Sequence, residues 1–183
     1  KAAMELGVHR ILADVSKEED AVRSVAFAKE QMGGINVLIN NAAYGYFSPL
    51  PEINAAEFDS LMATNVRGAM LMGREVSRLF IEQKSGNIIN ISSTAGTAGF
   101  AAGTAYVASK FALKGMTECW RAEFRKHNIR VMLINPSEVQ TDFVLNSGRE
   151  ARPHNTTKLE AQAIAHVVLS VLQMRDVGFI TEA

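Results

Sequence analysis

Short apolar runs that alternate with longer segments of helical periodicity constrain the fold of this 183-residue chain more than any other feature. The apolar runs cover residues 9–13, 35–39, 87–92, 129–134 and 178–181. They are apolar almost throughout, which is typical of strands covered on both faces and joined by helices. The sequence therefore predicts an α/β fold, a doubly wound, Rossmann-like parallel sheet with right-handed crossovers, as a single domain over 1–183.

Capping signals and helical periodicity predict helices over about residues 16–32, 54–84, 104–127 and 157–174. Ser16 with Glu19, Asn54 with Glu57, and Thr157 with Glu160 have the spacing of helix starts. Gly33-Gly34 ends the first helix. The longest irregular stretch, residues 135–156, is too long for a simple connection and indicates a binding loop or lid.

Composition excludes several classes of function. The chain has 19 basic and 19 acidic residues and no basic stripe, which weighs against nucleic acid as a partner. No apolar run reaches the ~18 residues of a membrane span. The lone Cys119, which we expect to act as a small hydrophobe within a helix, excludes an intrachain disulfide and is typical of a reducing, cytoplasmic compartment. The four histidines lack ligand spacing, so we expect no metal site.

The residues that follow the predicted strands are candidates for a binding site, because ligands of doubly wound sheets lie outside the carboxyl ends of the strands. They are Asp14-Val15, Asn40 to Ala43, Ser92-Ser93 and Asn135 to Ser137. Small and amide side chains dominate this set. Such side chains allow the backbone to approach a flat or phosphorylated ligand closely.

Tyr106 and Lys110 lie four residues apart and share one face of a predicted helix. Alone the pair is a weak signal, since a packed tyrosine and a solvated lysine would give the same pattern. Its position strengthens it. Ser93, 13 residues before Tyr106, ends the preceding strand and can face the same cleft.

These segments together resemble the short-chain dehydrogenase/reductase family. The matching motifs, in order, are Ala13-Asp14-Val15, NNAAYG from Asn40 to Gly45, Asn65-Val66-Arg67-Gly68, Ser93 with Tyr106-Val-Ala-Ser-Lys110, and NPSEVQT from Asn135 to Thr141. The resemblance covers essentially the whole chain. Five ordered motifs are specific, whereas any one of them would not be.

The resemblance implies a role for each site residue. Tyr106 is the general acid/base, Lys110 lowers the phenol's pKa and holds the nicotinamide ribose, and Ser93 orients the substrate oxygen. Asn65 holds a water that connects Lys110 to solvent, although a polar residue at a helix irregularity is an equally open interpretation. The implied cofactor contacts are Asp14, Val15, Asn41, Ala42, Ala43, Tyr106, Lys110, Pro136, Ser137, Val139 and Thr141. For Val15, Ala42 and Val139, ordinary packing is equally open.

The implied function is an NAD(P)-dependent oxidoreductase that acts on a carbonyl/alcohol pair. Among subfamilies the chain looks most like 3-oxoacyl-carrier-protein reductases, which favours NADP over NAD. A non-catalytic dinucleotide-binding sensor or scaffold of the same fold is an alternative, and a sugar-nucleotide epimerase is a third reading that would need a second domain. The resemblance also implies a homo-oligomer, with a tetramer expected, that pairs through helices 55–84 and 104–127.

Two departures from the family pattern bear on the fold. Ala43 and Ser137 stand where the family usually has glycine, which is costly if either site needs a positive φ. The phosphate-cradling fingerprint T-G-x-x-x-G-x-G is absent from these residues. We therefore expect a chain truncated at both ends, lacking the first two strands of the sheet and about 45–60 upstream residues, as the common strand order requires.

Overall fold

The computed structural model describes residues 5–150, 153–174 and 180–183. A parallel three-stranded sheet is formed by β1 (Val37–Asn40), β2 (Gly86–Ile91) and β3 (Ile129–Ile134). The helices before β3 are α1 (Glu18–Met32), α2 (Ala55–Met62), α3 (Ala69–Gln83) and α4 (Thr104–Phe124). After β3 come β4 (Val139–Gln140), α5 (Phe143–Asn146), β5 (Leu159–Glu160) and α6 (Ala161–Gln173). β4 and β5 pair in parallel as a separate ribbon.

The strand order β1-β2-β3 follows the chain, with Val37 paired to Asn87 and Gly86 paired to Ile129. Helices make both crossovers, which confirms the predicted parallel α/β fold. Near the C-terminus, Glu182 forms a parallel bridge with Leu133. Half of the predicted strand 178–181, residues 178 and 179, lies outside the described residues.

Apolar clusters cover both faces of the sheet. On one face Val25 of α1 and the α3 residues Val76 and Phe80 pack against the strands, with Trp120 and Phe124 of α4 at the margin. On the other face Val171 of α6 packs against Ile89, Met132 and Ile134. This burial on both sides explains why the strands are largely apolar and show no regular alternation.

A buried polar chain crosses the sheet behind its carboxyl edge. The Asn40 amide donates to the Asn90 side-chain oxygen at 2.9 Å, and the Asn90 amide donates to the Thr117 hydroxyl at 2.8 Å. Asn90 and Thr117 are completely buried. Because each of these polar groups finds a partner, the chain ties β1 and β2 to α4 without the cost of an unpaired buried polar group.

Three local predictions, one strand and two helix caps, are wrong. Residues 8–14 form no strand, and Leu12 is 92% exposed, since the described residues offer this segment no ladder partner. Ser16 does not cap α1, which begins at Glu18 without a side-chain cap, because the Ser16 hydroxyl bonds Asp14 instead. Thr157 does not cap α6, which begins only at Ala161, because its hydroxyl bonds Asn155.

Other local predictions are confirmed. The Asn54 side chain caps α2 by accepting from the backbone N–H groups of Ala56 and Glu57. Gly33 ends α1 in the left-handed conformation, at φ 73°. The predicted helix 54–84 is present but is divided between α2 and α3 by a π-helical turn, Ala63–Gly68.

Two further expectations concern single residues. Ala43 and Ser137 are not among the described non-glycine residues with positive φ, so alanine and serine cost no left-handed strain at these two sites. Cys119 lies within α4, as expected, and it is exposed on the outer face of that helix.

Candidate active site

A cleft of about 990 Å³ opens at the carboxyl edge of the sheet. Ser93, Tyr106 and Lys110 all line it. A smaller groove beside it is lined by Val15 and Asn65, and the two share Lys110 as a common wall. The site therefore lies where a doubly wound sheet is expected to bind its ligand.

Ser93 is fixed by the turn that follows β2. Its hydroxyl oxygen accepts a hydrogen bond from the Ala95 N–H at 3.1 Å and so caps the short 3₁₀ helix Thr94–Gly96. The Ser93 hydroxyl is also close enough to the phenol of Tyr106 to lower the pKa of that phenol. Two hydroxyl groups from different elements thus converge on one point of the cleft.

Lys110 lies one turn after Tyr106 on α4, and the residue is only 3% exposed. Its Nζ donates to the Ile91 carbonyl oxygen at 3.0 Å and lies 5.6 Å from the centroid of the Tyr106 ring. Burial lowers the pKa of Lys110 to about 8, because a charged ammonium is disfavoured away from water.

The phenol of Tyr106 is buried as well. Burial raises the pKa of the phenol, and the Ser93 hydroxyl opposes that rise only in part. The Nζ of Lys110 lies 5.6 Å from the ring centroid and is directed at the Ile91 carbonyl. In this structure Tyr106 is therefore a protonated phenol at neutral pH.

Asn65 lies in the π-helical turn and is buried. Its side-chain oxygen accepts from the Tyr44 N–H at 3.0 Å, and its amide donates to the Tyr44 carbonyl at 2.9 Å and to the Ser109 hydroxyl at 3.1 Å. The side chain thus joins the loop after β1 to α4. The hydrogen bonds described for Asn65 all serve this junction. None of them goes to Lys110, which follows Ser109 on the same helix.

Nearly all of the residues predicted to contact a cofactor line the same pair of cavities. Those in the cleft are Asn41, Ala43, Tyr106, Lys110, Pro136, Ser137, Val139 and Thr141. Those in the groove include Val15, Asn41, Ala42 and Ala43. Gly68 permits this arrangement, because a Cβ there would meet a Val15 methyl at 2.8 Å.

Asp14 is the exception. It lines neither cavity, and its carboxylate accepts hydrogen bonds from the Ser16 N–H at 3.0 Å and the Ser16 hydroxyl at 2.7 Å. These bonds lower the pKa of the Asp14 carboxyl. Its side chain is turned to its own loop.

Several residues that line the cleft were not named as site residues from the sequence, although two of those below lie in the predicted binding loop 135–156. The aromatic and basic ones are Phe47, Phe100, Phe143 and Arg149. All lie in loops or in the short helix α5, where no periodicity marks them. Their one sequence signal is position, since each lies in a connection that follows a strand's carboxyl end.

The described part of the chain contains no group of three His, Cys, Asp or Glu side chains arranged to hold a metal ion. None of its helices has both the length and the hydropathy needed to cross a membrane.

The chain has a parallel sheet with helices on both faces. The carboxyl edge of this sheet brings together a serine, a tyrosine and, one turn further on, a lysine. These features define a class of Rossmann-like α/β proteins with a cleft at the sheet edge. The short chain dehydrogenase family model matches residues 1–152. The chain belongs to this family.

Relatives of known name support the same assignment. (+)-Borneol dehydrogenase 2 of Salvia officinalis is 38% identical over 135 residues, which are 72% of this chain and 47% of that protein. Levodione reductase of Leifsonia aquatica is 32% identical over 165 residues, 90% of this chain and 62% of that protein. The chain thus spans about half to three fifths of the length of these curated relatives.

A solved structure gives the same result for the fold. The crystal structure of a metagenomic short-chain oxidoreductase in complex with NADP superposes on this chain with a TM-score of 0.81 at 32% identity. The match covers 96% of this chain and 72% of the other.

Proposed function

We propose that this chain carries the catalytic side of an NAD(P)-dependent oxidoreductase that interconverts a carbonyl compound and an alcohol. The observation that carries the proposal is the convergence of Ser93, Tyr106 and, one helical turn further on, Lys110 in a single cleft. Two converging hydroxyl groups are suited to bind one substrate oxygen and to exchange a proton with it.

Each of the three side chains has a distinct role in this proposal. Tyr106 transfers a proton to or from the substrate oxygen, and Ser93 hydrogen-bonds the same oxygen and orients it. Lys110 contributes positive charge beside the tyrosine when protonated. Asn65 is a positioning residue, because its three hydrogen bonds hold the loop after β1 against α4.

The protonation state of Tyr106 favours the direction of reduction. Burial raises the pKa of the phenol, so at neutral pH it holds the proton that a carbonyl oxygen needs. Oxidation of an alcohol requires the phenolate, and we expect that direction to need a higher pH.

The residues present fit a nicotinamide dinucleotide. The cleft has a volume in the range of about 300–1,000 Å³ that ligand pockets have, and small side chains line its junction with the groove. Val15, Asn41, Ala42 and Ala43 would hold the adenosine side; Pro136, Ser137, Val139, Thr141 and Lys110 would hold the nicotinamide side. When bound, the reduced cofactor supplies the hydride. NADP is favoured over NAD, since the similar metagenomic enzyme was crystallised with NADP.

Further points extend the proposal. A 3-oxoacyl thioester is one substrate to test, because the chain resembles that subfamily. We also propose a cytoplasmic location, in keeping with the single free cysteine. A homotetramer that pairs through helices 55–84 and 104–127 completes the proposal.

The test is Tyr106→Phe in the purified protein. We expect carbonyl reduction to fall at least about 10³-fold, within the range that general acid catalysis contributes. Cofactor affinity, measured by the fluorescence of bound NADPH, should change little, because the ring remains. Substantial residual turnover by this variant would remove Tyr106 from the mechanism.

The wild-type protein separates the two function classes in the same assay. Cofactor oxidation is followed with a panel of ketones and 3-oxoacyl thioesters. Turnover of any of them supports the oxidoreductase. Tight dinucleotide binding without turnover would instead support a dinucleotide sensor or scaffold.

A further inference from the structure

Aromatic rings surround the phenol of Tyr106. The Phe47 ring centroid lies 5.4 Å from that of Tyr106 and 6.0 Å from that of Phe100, and Phe143 lies 5.4 Å from Tyr106 on another side. We call these four residues the aromatic wall. A Cβ at Gly45 would lie 2.5 Å from Phe47 and 3.0 Å from Phe143, so both rings pack directly on the Gly45 backbone. The wall is therefore preformed and suits a flat or cyclic carbon skeleton.

A cation sits on this wall, one ring away from Tyr106. The Arg149 guanidinium carbon lies 4.0 Å from the centroid of the Phe47 ring. Its Nε donates to the Ser147 hydroxyl at 3.2 Å. Among the described residues no carboxylate lies within ion-pair distance of Arg149. The terminal amino groups of its fork are thus available to an anion.

The other charged groups of the cleft are already engaged. Within the described residues the charged side chains that line it are Lys110, Glu138 and Arg149. Lys110 is buried, donates to the Ile91 carbonyl and has its proposed role beside Tyr106, whereas Arg149 is exposed. Glu138 pairs with Lys158 at 2.8 Å. Arg149 is consequently the cleft's available binding group for a negatively charged substituent.

We propose that the cleft selects aromatic or alicyclic ketones that carry a carboxylate about one ring's width from the carbonyl. This inference rests on the function proposed above and names its substrate class. The ring would lie on the aromatic wall, the carboxylate would meet the Arg149 fork, and the carbonyl would face Ser93 and Tyr106. In the reduction, the carbonyl carbon accepts a hydride from the reduced cofactor. The oxygen accepts the Tyr106 proton as the C=O π bond breaks, and the product is a secondary alcohol.

The test compares 4-acetylbenzoate with 4-acetylbenzamide, which has nearly the same shape and no charge. The quantity measured is the ratio of their kcat/KM values. We expect the wild type to prefer the carboxylate, and Arg149→Gln to reduce the ratio about 10- to 100-fold, the contribution of a charged hydrogen bond. Arg149→Lys should keep part of the preference.

Arg125→Gln is the matched control. Arg125 is an exposed arginine in the turn before β3, at the opposite edge of the sheet, and the ratio should not change in this variant. Absence of a preference in the wild type overturns the inference. An equal loss for both substrates in Arg149→Gln also overturns it, since Arg149 would then act through the shape of the loop alone.

Failure of the proposed function is distinguishable from failure of this inference. If neither ketone nor any other panel member is reduced, the oxidoreductase proposal fails. Titration calorimetry then still decides the anion site. Tighter binding of 4-acetylbenzoate than of 4-acetylbenzamide, lost in Arg149→Gln, sustains the site. Equal binding of the two compounds overturns it.

Discussion

Lys110 is a buried cation whose position serves the site at the expense of stability. Its side chain is only 3% exposed, and the hydrogen bond to the Ile91 carbonyl replaces only part of the lost hydration. The same burial raises the pKa of Tyr106. Burial therefore disfavours the charged forms of both Tyr106 and Lys110, a pattern that is typical of functional sites.

The expected stability of the Lys110→Met variant follows from the direction in which folding shifts the pKa of Lys110. The pKa of Lys110 falls from 10.5 to about 8 on folding, so between these values the unfolded state binds more protons and stability rises with pH. Below pH 8 the folded protein bears the full cost of the buried charge. We expect Lys110→Met to unfold with a free energy about 2 kcal/mol higher than the wild type at pH 7, after allowing for the lost hydrogen bond. Near pH 10 the difference should narrow.

Urea unfolding at both pH values measures this difference. The control is Lys114→Met, one turn further along α4 and half-buried, which should change stability by less than about 0.5 kcal/mol at either pH. A Lys110→Met protein that is less stable than the wild type at pH 7 would show that the ammonium is well solvated in the folded state.

The chemistry of the site was more predictable at this scale than its shape. Ser93, Tyr106 and Lys110 are identifiable because their spacing reflects a strand end and one helical turn. Arg149 and the aromatic wall are not, because their proximity depends on how three loops fold back over the cleft. The burial of Tyr106 and Lys110, which shifts the pKa of both, was not predictable either, because sequence gives a neighbour's charge but not the burial of the two groups.

At the scale of elements, strands were predicted to within about two residues where each found a neighbour. β3 matches its predicted range of 129–134, and β2 differs by one residue at each end. Residues 9–13 have the same apolar character but form no ladder. A segment with strand propensity forms a strand only where a neighbouring strand pairs with it. A prediction made from one segment at a time therefore cannot distinguish these cases.

Helix starts show the same dependence on context. Ser16, Asn54 and Thr157 all have capping-box spacing, yet only Asn54 caps a helix. The Ser16 hydroxyl donates to the Asp14 side chain, and the Thr157 hydroxyl donates to the Asn155 side chain. Each of these acceptors lies two residues earlier and competes with the helix start for the hydroxyl. Local competition thus decides which of three similar signals becomes a cap.

Replacement of the cap tests this difference. Asn54→Ala removes the acceptor of two N–H groups at the start of α2, and we expect it to lower the free energy of unfolding by about 1 kcal/mol. Thr157→Ala, which has the same capping spacing but caps no helix, should cost less than about 0.5 kcal/mol. Thermal unfolding of both variants measures the contrast. Equal losses would mean that the Asn54 cap adds nothing beyond an exposed turn.

At the scale of the molecule, the outer face of α4 bears on assembly. Phe111 is 46% exposed there, and Gly115 and Cys119 lie along the same side of the helix at intervals of four residues. The opposite face of α4 holds Tyr106 and Lys110 in the cleft. A subunit contact on this helix would therefore brace the element that carries the site.

Phe111→Glu tests the proposed pairing through this helix. A two-fold interface repeats each substitution, so a residue that contributes about 2 kcal/mol is lost twice, which weakens the dimer about 1,000-fold. Two glutamates close to the axis would also repel each other. We expect sedimentation equilibrium to show an oligomer for the wild type and a smaller species for the variant at micromolar concentration.

Val22→Glu is the matched control, because Val22 lies on α1, outside the proposed interface, and is 47% exposed. It introduces the same charge at an equally exposed apolar position, so general effects of charge on association appear in both variants. Dissociation in Phe111→Glu alone assigns the contact to α4. If both variants dissociate, charge rather than the helix face governs assembly. A wild type that sediments as a monomer contradicts the proposed interface altogether. Phe111 would then remain 46% exposed to solvent.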